Sequence, residues 1–319
     1  MKTSNSKTKV FAFLGAAFVL LIALMFTGCP NAAGGDSGGS ITPSAPADKT
    51  YTVGGVSFTM KGIAAVTNGS VGDNSLSDNN VHKVSLTAYR IGETEVTQEL
   101  WQAVMDNNPS QFKGAENLPD GSEVQKKRPV ERVSWYDCIA FCNELTKKVP
   151  ELGESQCVYT VDGHSYGTTD ATAEKEPAMD MNKKGFRLPT EAEWEWAAKG
   201  GTEDKWAGTN EKVKLGDYAW YSENGDNKTH QVKMKKPNGY GLYDMSGNVW
   251  EWCWDRYGTL PNPLPADYPG ADSGFDRVKR GGSWFHNAVN ASRAYRDYYN
   301  PGSSYFSLSG LRVALRYCV

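Results

Sequence analysis

Helix starts are scarce in this chain, and that scarcity most limits what it can fold into. Three stretches carry one. In Ser134-Trp135-Tyr136-Asp137 a side-chain acceptor is followed three residues later by an acid, the reciprocal capping pattern, and Trp135, Ile139, Cys142 and Leu145 then fall on one helical face. Thr190-Glu191-Ala192-Glu193 opens a second helix through Ala198, stopped by Gly200-Gly201. Thr97 to Asn107 reads as a third, with Leu100, Trp101, Val104 and Met105 inward and Pro109 ending it. The remaining periodic signals are short strands at Lys83–Ile91, Gly185–Leu188, Gly282–Phe285 and Leu311–Tyr317. In the last, Leu311, Val313 and Leu315 alternate with Arg312, Ala314 and Arg316, a half-buried pattern. With 33 Gly and 15 Pro breaking up the rest, the expectation is an α+β fold of few short helices and strands joined by long loops. Ten Trp and 16 Tyr must then pack a loop-rich core, populate a binding face, or both.

The amino terminus is of another kind. Lys2, Lys7 and Lys9 precede the uncharged apolar run Val10–Phe26, which leads into Thr27-Gly28-Cys29. Basic, apolar and small-residue segments in that order make a secretory signal. The run is short for a membrane-spanning helix, which needs about 20 apolar residues. Small residues before a Cys resemble a bacterial lipobox, which makes residues 1–29 a lipoprotein signal peptide and Cys29 the lipidation site. Residues 30–50 are rich in Gly, Ser, Ala and Pro, bury no core and read as a flexible tether. Residues 51–319 are the length of a single domain. The expected location is the bacterial cell envelope, at its outer surface, with the membrane engaged through the lipid. The tether asks for no obligate partner, so a monomer is expected.

A formal net charge of −3 argues against nucleic acid as a partner. The basic runs Gln125–Arg128 and Lys233–Lys236 read as solvated turns. Beyond Cys29 there are five cysteines, an odd number without zinc-site spacing; buried apolar thiols are expected, with one unassigned disulfide left open.

Several blocks, in order, carry a resemblance: Glu95-Val96-Thr97, Asn108-Pro109-Ser110, Pro129–Trp135, Phe186–Glu195, Gly239–Tyr243, Gly247-Asn248-Val249-Trp250-Glu251-Trp252, Arg280-Gly281-Gly282-Ser283-Trp284 and Gly310–Val313. Together they resemble the formylglycine-generating enzyme, or sulfatase-modifying factor, family. The resemblance covers nearly everything from about Thr52 onward and implies that family's variant of the C-type lectin fold. The enzymes oxidise a substrate cysteine with two thiols of their own, placed just after the Gly-Gly-Ser-aromatic stretch. Here His286 and Ala291 fall at those positions, and neither can supply a thiolate or a soft copper ligand. The oxidoreductase reading is therefore the disfavoured alternative, and no enzyme is expected. Other relatives set this fold beside an iron-binding domain, but His82, His164 and His230 are scattered. No cofactor is called for. Relatives bind calcium near the Gly-Asn-Val-Trp-Glu-Trp block, which makes a structural calcium at Asn248 and Glu251 a candidate, although six to eight oxygens would be needed.

From Phe285 onward the composition changes: every Lys, Glu, Gln, Met and Trp of the chain lies before it. Random replacement of the adenines of AAC codons yields Phe, Tyr, His, Asn, Asp, Ser, Ala, Val, Leu and Gly, and never those five. The pattern resembles the variable proteins of diversity-generating retroelements, which carry a carboxyl-terminal variable region on this fold. The physical reading stands beside that likeness. Tyr, Ser and Asn together give large contact area at low rotamer cost with adaptable hydrogen bonds. The expected ligand-binding residues, within a variable region of about 285–309, are Phe285, His286, Asn287, Val289, Asn290, Tyr295, Asp297, Tyr298, Tyr299, Ser304, Tyr305 and Ser307. Ala288, Ala291, Arg293 and Arg296 read as scaffold within it, and Trp250–Trp254 as packing beneath it. The function expected is surface display of a diversified binding site for a protein or a cell-surface glycan.

Overall fold

The computed structural model describes residues 44–114, 121 and 123–317. Cys29, the signal segment, most of the tether and Cys318 lie outside the described residues. Structured residues occur before the expected boundary at 50. Pro46 is buried, and the Asp48 carboxylate accepts from the Gly62 amide at 3.0 Å.

Four α-helices are present among the described residues: α1 (Gln98–Met105), α2 (Trp135–Lys148), α3 (Thr168–Thr172) and α4 (Glu191–Lys199). Both expected capping boxes form. Ser134 Oγ accepts the Asp137 amide at 3.0 Å while Asp137 Oδ2 accepts the Ser134 amide at 2.9 Å. Thr190 and Glu193 repeat the exchange at 3.2 and 2.9 Å. Each such cap is worth about 1 kcal/mol. The second does more, because the Glu193 carboxylate also takes both Nη groups of buried Arg187 at 2.6 Å, fixing the entry to α4 from the side. α3 was not foreseen.

The strands, in chain order, are β1 (Lys49–Val53), β2 (Val56–Ile63), β3 (Val66–Val71), β4 (His82–Leu86), β5 (Tyr89–Gly92), β6 (Tyr159–Val161), β7 (His164–Ser165), β8 (Ala178–Met179), β9 (Trp250–Arg256), β10 (Arg277–Arg280), β11 (Asp297–Tyr299), β12 (Ser309–Gly310) and β13 (Ala314–Arg316). They build two four-stranded sheets, β1-β2-β5-β13 and β11-β10-β9-β12, a β3-β4 pair and a small β7-β6-β8 sheet. All pairings are antiparallel except β12 with β9. The expected α+β class holds.

Several expectations are corrected. Gly185–Leu188 makes only an isolated bridge, Arg187 to Ala314. The strand placed at Gly282–Phe285 is instead β10, which ends where Gly281 and Gly282 turn the chain at φ +96 and +77. These are values that favour glycine. Arg312, read as one of the polar positions of a half-buried strand, is fully buried. Its guanidinium holds Glu251 of β9 at 2.7 Å, the Gly92 carbonyl of β5 at 2.8 Å and the Tyr243 carbonyl at 2.8 Å, so one side chain ties the two large sheets together. Arg128 likewise turns inward to Glu123 at 3.5 Å rather than into solvent.

Candidate functional site

After Gly282 the chain makes a long irregular excursion before rejoining the sheet as β11. Its backbone is gripped by groups outside it. Trp206 Nε1 donates to the Ala288 carbonyl at 2.6 Å and Ser246 Oγ to the Ala291 carbonyl at 2.8 Å. Arg280 Nη1 reaches the Ala294 and Tyr295 carbonyls at 3.0 and 2.6 Å, and the Arg293 amide donates to the Lys205 carbonyl at 2.9 Å. Further on, the Pro301 carbonyl accepts the Trp135 amide at 2.9 Å, and the Ser307 carbonyl accepts Trp284 Nε1 at 2.9 Å.

Three arginines sit beneath the excursion and converge on α4. Arg296 makes a bidentate pair with Glu191 at 2.7 and 2.9 Å. Arg280 Nη2 and Arg293 Nη1 share Glu195 at 2.5 and 3.3 Å. Ala288, Ala291, Arg293 and Arg296 are all buried, as a scaffold role requires. These anchors act on backbone carbonyls and a few buried side chains, and other structural bonds of the segment are local, such as Asn287 Oδ1 accepting the Val289 amide at 2.9 Å and Asn300 Oδ1 the Gly302 amide at 2.8 Å.

The other side chains of the segment largely face out. Of the eleven large apolar side chains exposed among the described residues, six lie in this one segment: Phe285, Val289, Tyr298, Tyr299, Tyr305 and Phe306. Tyr305 is 83% exposed. Asn287 is exposed as well, while His286, Asn290, Tyr295, Asp297 and Ser304 are half-buried. Ser307 is corrected: it is buried, its carbonyl held by Trp284. Phe306, outside the expected set, is exposed on the same face.

A hollow of about 640 Å³ opens between β11 and the turn at His286, with Trp250, Lys279, Tyr295, Tyr299 and Phe306 in its lining. A second, of about 600 Å³, lies across Tyr298 and Tyr299 beside Glu174, Asp276 and Tyr305. Trp250 and Trp252 are buried, as packing beneath the segment requires, yet both also line the first hollow. Tyr257 stacks on Tyr298 with ring centroids 4.1 Å apart.

At the two positions where the enzymes carry thiols, Ala291 is wholly buried and His286 is held by its neighbours. Trp250 Nε1 donates to His286 Nδ1 at 3.2 Å, with Ser283 Oγ 2.7 Å from the same nitrogen. An indole N–H only donates, so Nδ1 accepts and the ring proton sits on Nε2. Burial lowers the imidazole's proton affinity; Asp297 opposes this and Lys279 adds to it. Cys138, Cys142, Cys157 and Cys253 are free and buried, and desolvation raises the pKa of each thiol. None offers a reactive thiolate in place of the missing pair.

The calcium candidates do not fit a metal. Asn248 spends Nδ2 on Glu95 at 2.8 Å and Oδ1 on the His230 amide at 3.0 Å. Glu251 is neutralised by Arg312 and accepts from Trp194 Nε1 at 2.7 Å. At positions 286 and 291 a His and an Ala offer no soft sulfur ligand for copper.

This loop-rich pair of sheets, with its carboxyl-terminal excursion, is the C-type-lectin-like architecture of formylglycine-generating enzymes. The chain belongs to the sulfatase-modifying factor enzyme 1-like domain family, whose description matches residues 41–317. Among solved structures it is similar to Treponema denticola variable protein 1, at 52% identity and a TM-score of 0.78, covering 85% of this chain and 100% of that one. The chaperone protein LppX of Paenibacillus barcinonensis is 36% identical over 245 residues, 69% of this chain and 77% of that protein. The formylglycine-generating enzyme of Mus musculus is 32% identical over 215 residues, 61% of this chain but 46% of the enzyme. The likeness to a variable protein and the family membership together make this chain a relative of variable proteins on a fold that enzymes also use.

Proposed function

We propose that the chain is a lipid-anchored protein, displayed at the outer surface of a bacterial envelope, that binds a ligand through its carboxyl-terminal segment and catalyses no reaction. One observation carries this reading: six exposed apolar side chains stand on a backbone whose carbonyls are hydrogen-bonded by Trp206, Ser246 and Arg280. Exposed Tyr and Phe on a preordered surface provide contact area without the ordering cost that opposes binding by a floppy loop. The buried arginines and alanines explain how such a segment can be recoded and still fold. The aliphatic and aromatic character of Phe285, Val289 and Phe306 favours a protein ligand over a glycan. Lipidation at Cys29 and the tether behind it would hold the face away from the membrane.

The genomic locus tests the variable-protein reading. A reverse transcriptase gene nearby, with an adenine-rich near-copy of the DNA encoding residues 285–309, is expected. A locus with neither would return the composition of this segment to coincidence. Incubation with a sulfatase-motif peptide, copper and oxygen tests the absence of catalysis. Peptide aldehyde above background would overturn it.

A further inference from the structure

Lys279 lies on β10 just before Arg280-Gly281-Gly282, outside the segment 285–309 read as variable. Its side chain is 8% exposed and sits in the lining of the larger hollow. Its ammonium lies 4.9 Å from the ring centre of Tyr299, 5.5 Å from that of Trp250 and 5.6 Å from that of Trp252. Among the described residues its sole anionic partner is Asp297, at 3.2 Å. An ammonium has three donors. One carboxylate oxygen leaves donors to spare, and the aromatic walls accept no strong hydrogen bond in exchange. The hollow's other cation is differently placed: Arg296 is taken up by Glu191 and by the Asp78 and Gly258 carbonyls at 3.0 and 3.1 Å. Burial lowers the proton affinity of Lys279, and Asp297 only partly restores it, so a further anion would be stabilised there.

We propose that Lys279 is a fixed anchor for a carboxylate of the ligand, an Asp or Glu side chain on a protein surface, and that residue 297 sets how open the anchor is. The proposal rests on reading the segment as a binding face and names one subsite within it. Asp297 is 34% exposed on its side chain and belongs to the recoded segment, whereas Lys279 does not. The cation is therefore constant while its internal counter-ion is exchangeable. With Asp at 297 the ligand shares the ammonium; with a neutral residue there it has the ammonium to itself. The exposed Tyr298, Tyr299 and Phe306 beside the hollow suit a protein partner that inserts one acidic side chain among apolar neighbours.

The test follows the Cε signal of Lys279 by NMR in 13C-lysine-labelled protein, assigned with Lys279→Arg. The probes are phenylacetate, its neutral analogue phenylacetamide, and N-acetylneuraminate as a glycan carboxylate. Phenylacetate is expected to shift the signal saturably and raise its titration midpoint, while phenylacetamide leaves both unchanged. Removing the competing charge with Asp297→Asn is expected to tighten phenylacetate binding on the order of ten-fold. Equal responses to phenylacetate and phenylacetamide, or an Asp297→Asn affinity matching wild type, would overturn the anchor. Saturation by neuraminate alone would overturn the protein-ligand form. If Lys279→Arg fails to fold, the half-exposed Asp297→Asn keeps the comparison decisive. Failure here leaves the binding-face reading standing, because the locus test does not involve Lys279.

Discussion

Replacing Arg296 by alanine tests whether the segment is a rigid scaffold carrying free side chains. Arg296 lies inside the segment 285–309 read as variable, yet it is buried and donates to both oxygens of Glu191 and to the carbonyls of Asp78 and Gly258. Arg296→Ala leaves Glu191 with Arg280 Nε at 3.6 Å as its remaining cation, and strips two carbonyls of a donor. Breaking a buried ion pair from one side costs about 3–5 kcal/mol. For a domain of this size 1 kcal/mol moves Tm by about 2–4 °C, so a fall of roughly 10 °C is expected in thermal unfolding followed by circular dichroism. Glu191→Gln in the same chain should restore part of the loss, since the uncompensated charge is then gone. Tyr305→Ser and Phe306→Ser, on exposed side chains, should change stability by no more than about 0.5 kcal/mol. An Arg296→Ala protein melting within 2 °C of wild type, or a Tyr305→Ser protein falling as far as Arg296→Ala, would refute the division between anchor and display.

Gly282→Ala should cost about 2–4 kcal/mol, because φ is +77 and the new Cβ would lie 2.9 Å from Ala291 Cα; limited proteolysis should show the cut falling in 283–300. The His286 pKa is depressed in the folded protein, so the unfolded chain takes up its proton first. The stability His286 contributes is present above about pH 6.5 and lost as pH falls. Tm should drop on acidification, and less so in His286→Asn. Asp255 has the opposite sign: burial and Glu191 push it up to about 8, so its contribution is lost as pH rises from the ordinary carboxylate range through that value. Asp255→Asn, whose amide oxygen can still accept the Glu191 N–H, should flatten the alkaline limb of a Tm–pH profile.

The readable parts of the sequence were those whose physics is local. Ser134 with Asp137 and Thr190 with Glu193 mark helix starts because each cap closes within four residues, and both form as read. The reading of Ala288, Ala291, Arg293 and Arg296 as scaffold drew on the resemblance, since the family tends to hold small residues or Arg there, and all four are buried. What escaped was settled by partners far along the chain. Arg312 looked like a polar strand position until Glu251, 61 residues away, neutralised it. Ser307 looked like its exposed neighbours, but Trp284 holds its carbonyl across 23 residues. Lys279 carried no mark at all, since its place in the hollow depends on how β10 lies between β9 and β11.

The same distant pairing explains how one fold can carry either an oxidase pocket or the exposed aromatic face proposed here for binding. In the enzymes' chemistry the residues after the Gly-Gly-Ser-aromatic turn must be thiols, and every group around them must keep those thiols reactive. Here the turn is kept, but Ala291 is packed shut and His286 is a neutral acceptor for Trp250. His286 adds its bonds to Trp250 and Ser283, but most of the hold on the segment falls to Trp206, Ser246, Arg280, Arg293 and Arg296, acting on carbonyls and on α4. Once the anchors are separate from the chemistry, the thiols can be lost without loss of the backbone path, and the outward side chains can change without loss of the fold. A segment whose path depended on its own exposed side chains would have neither freedom.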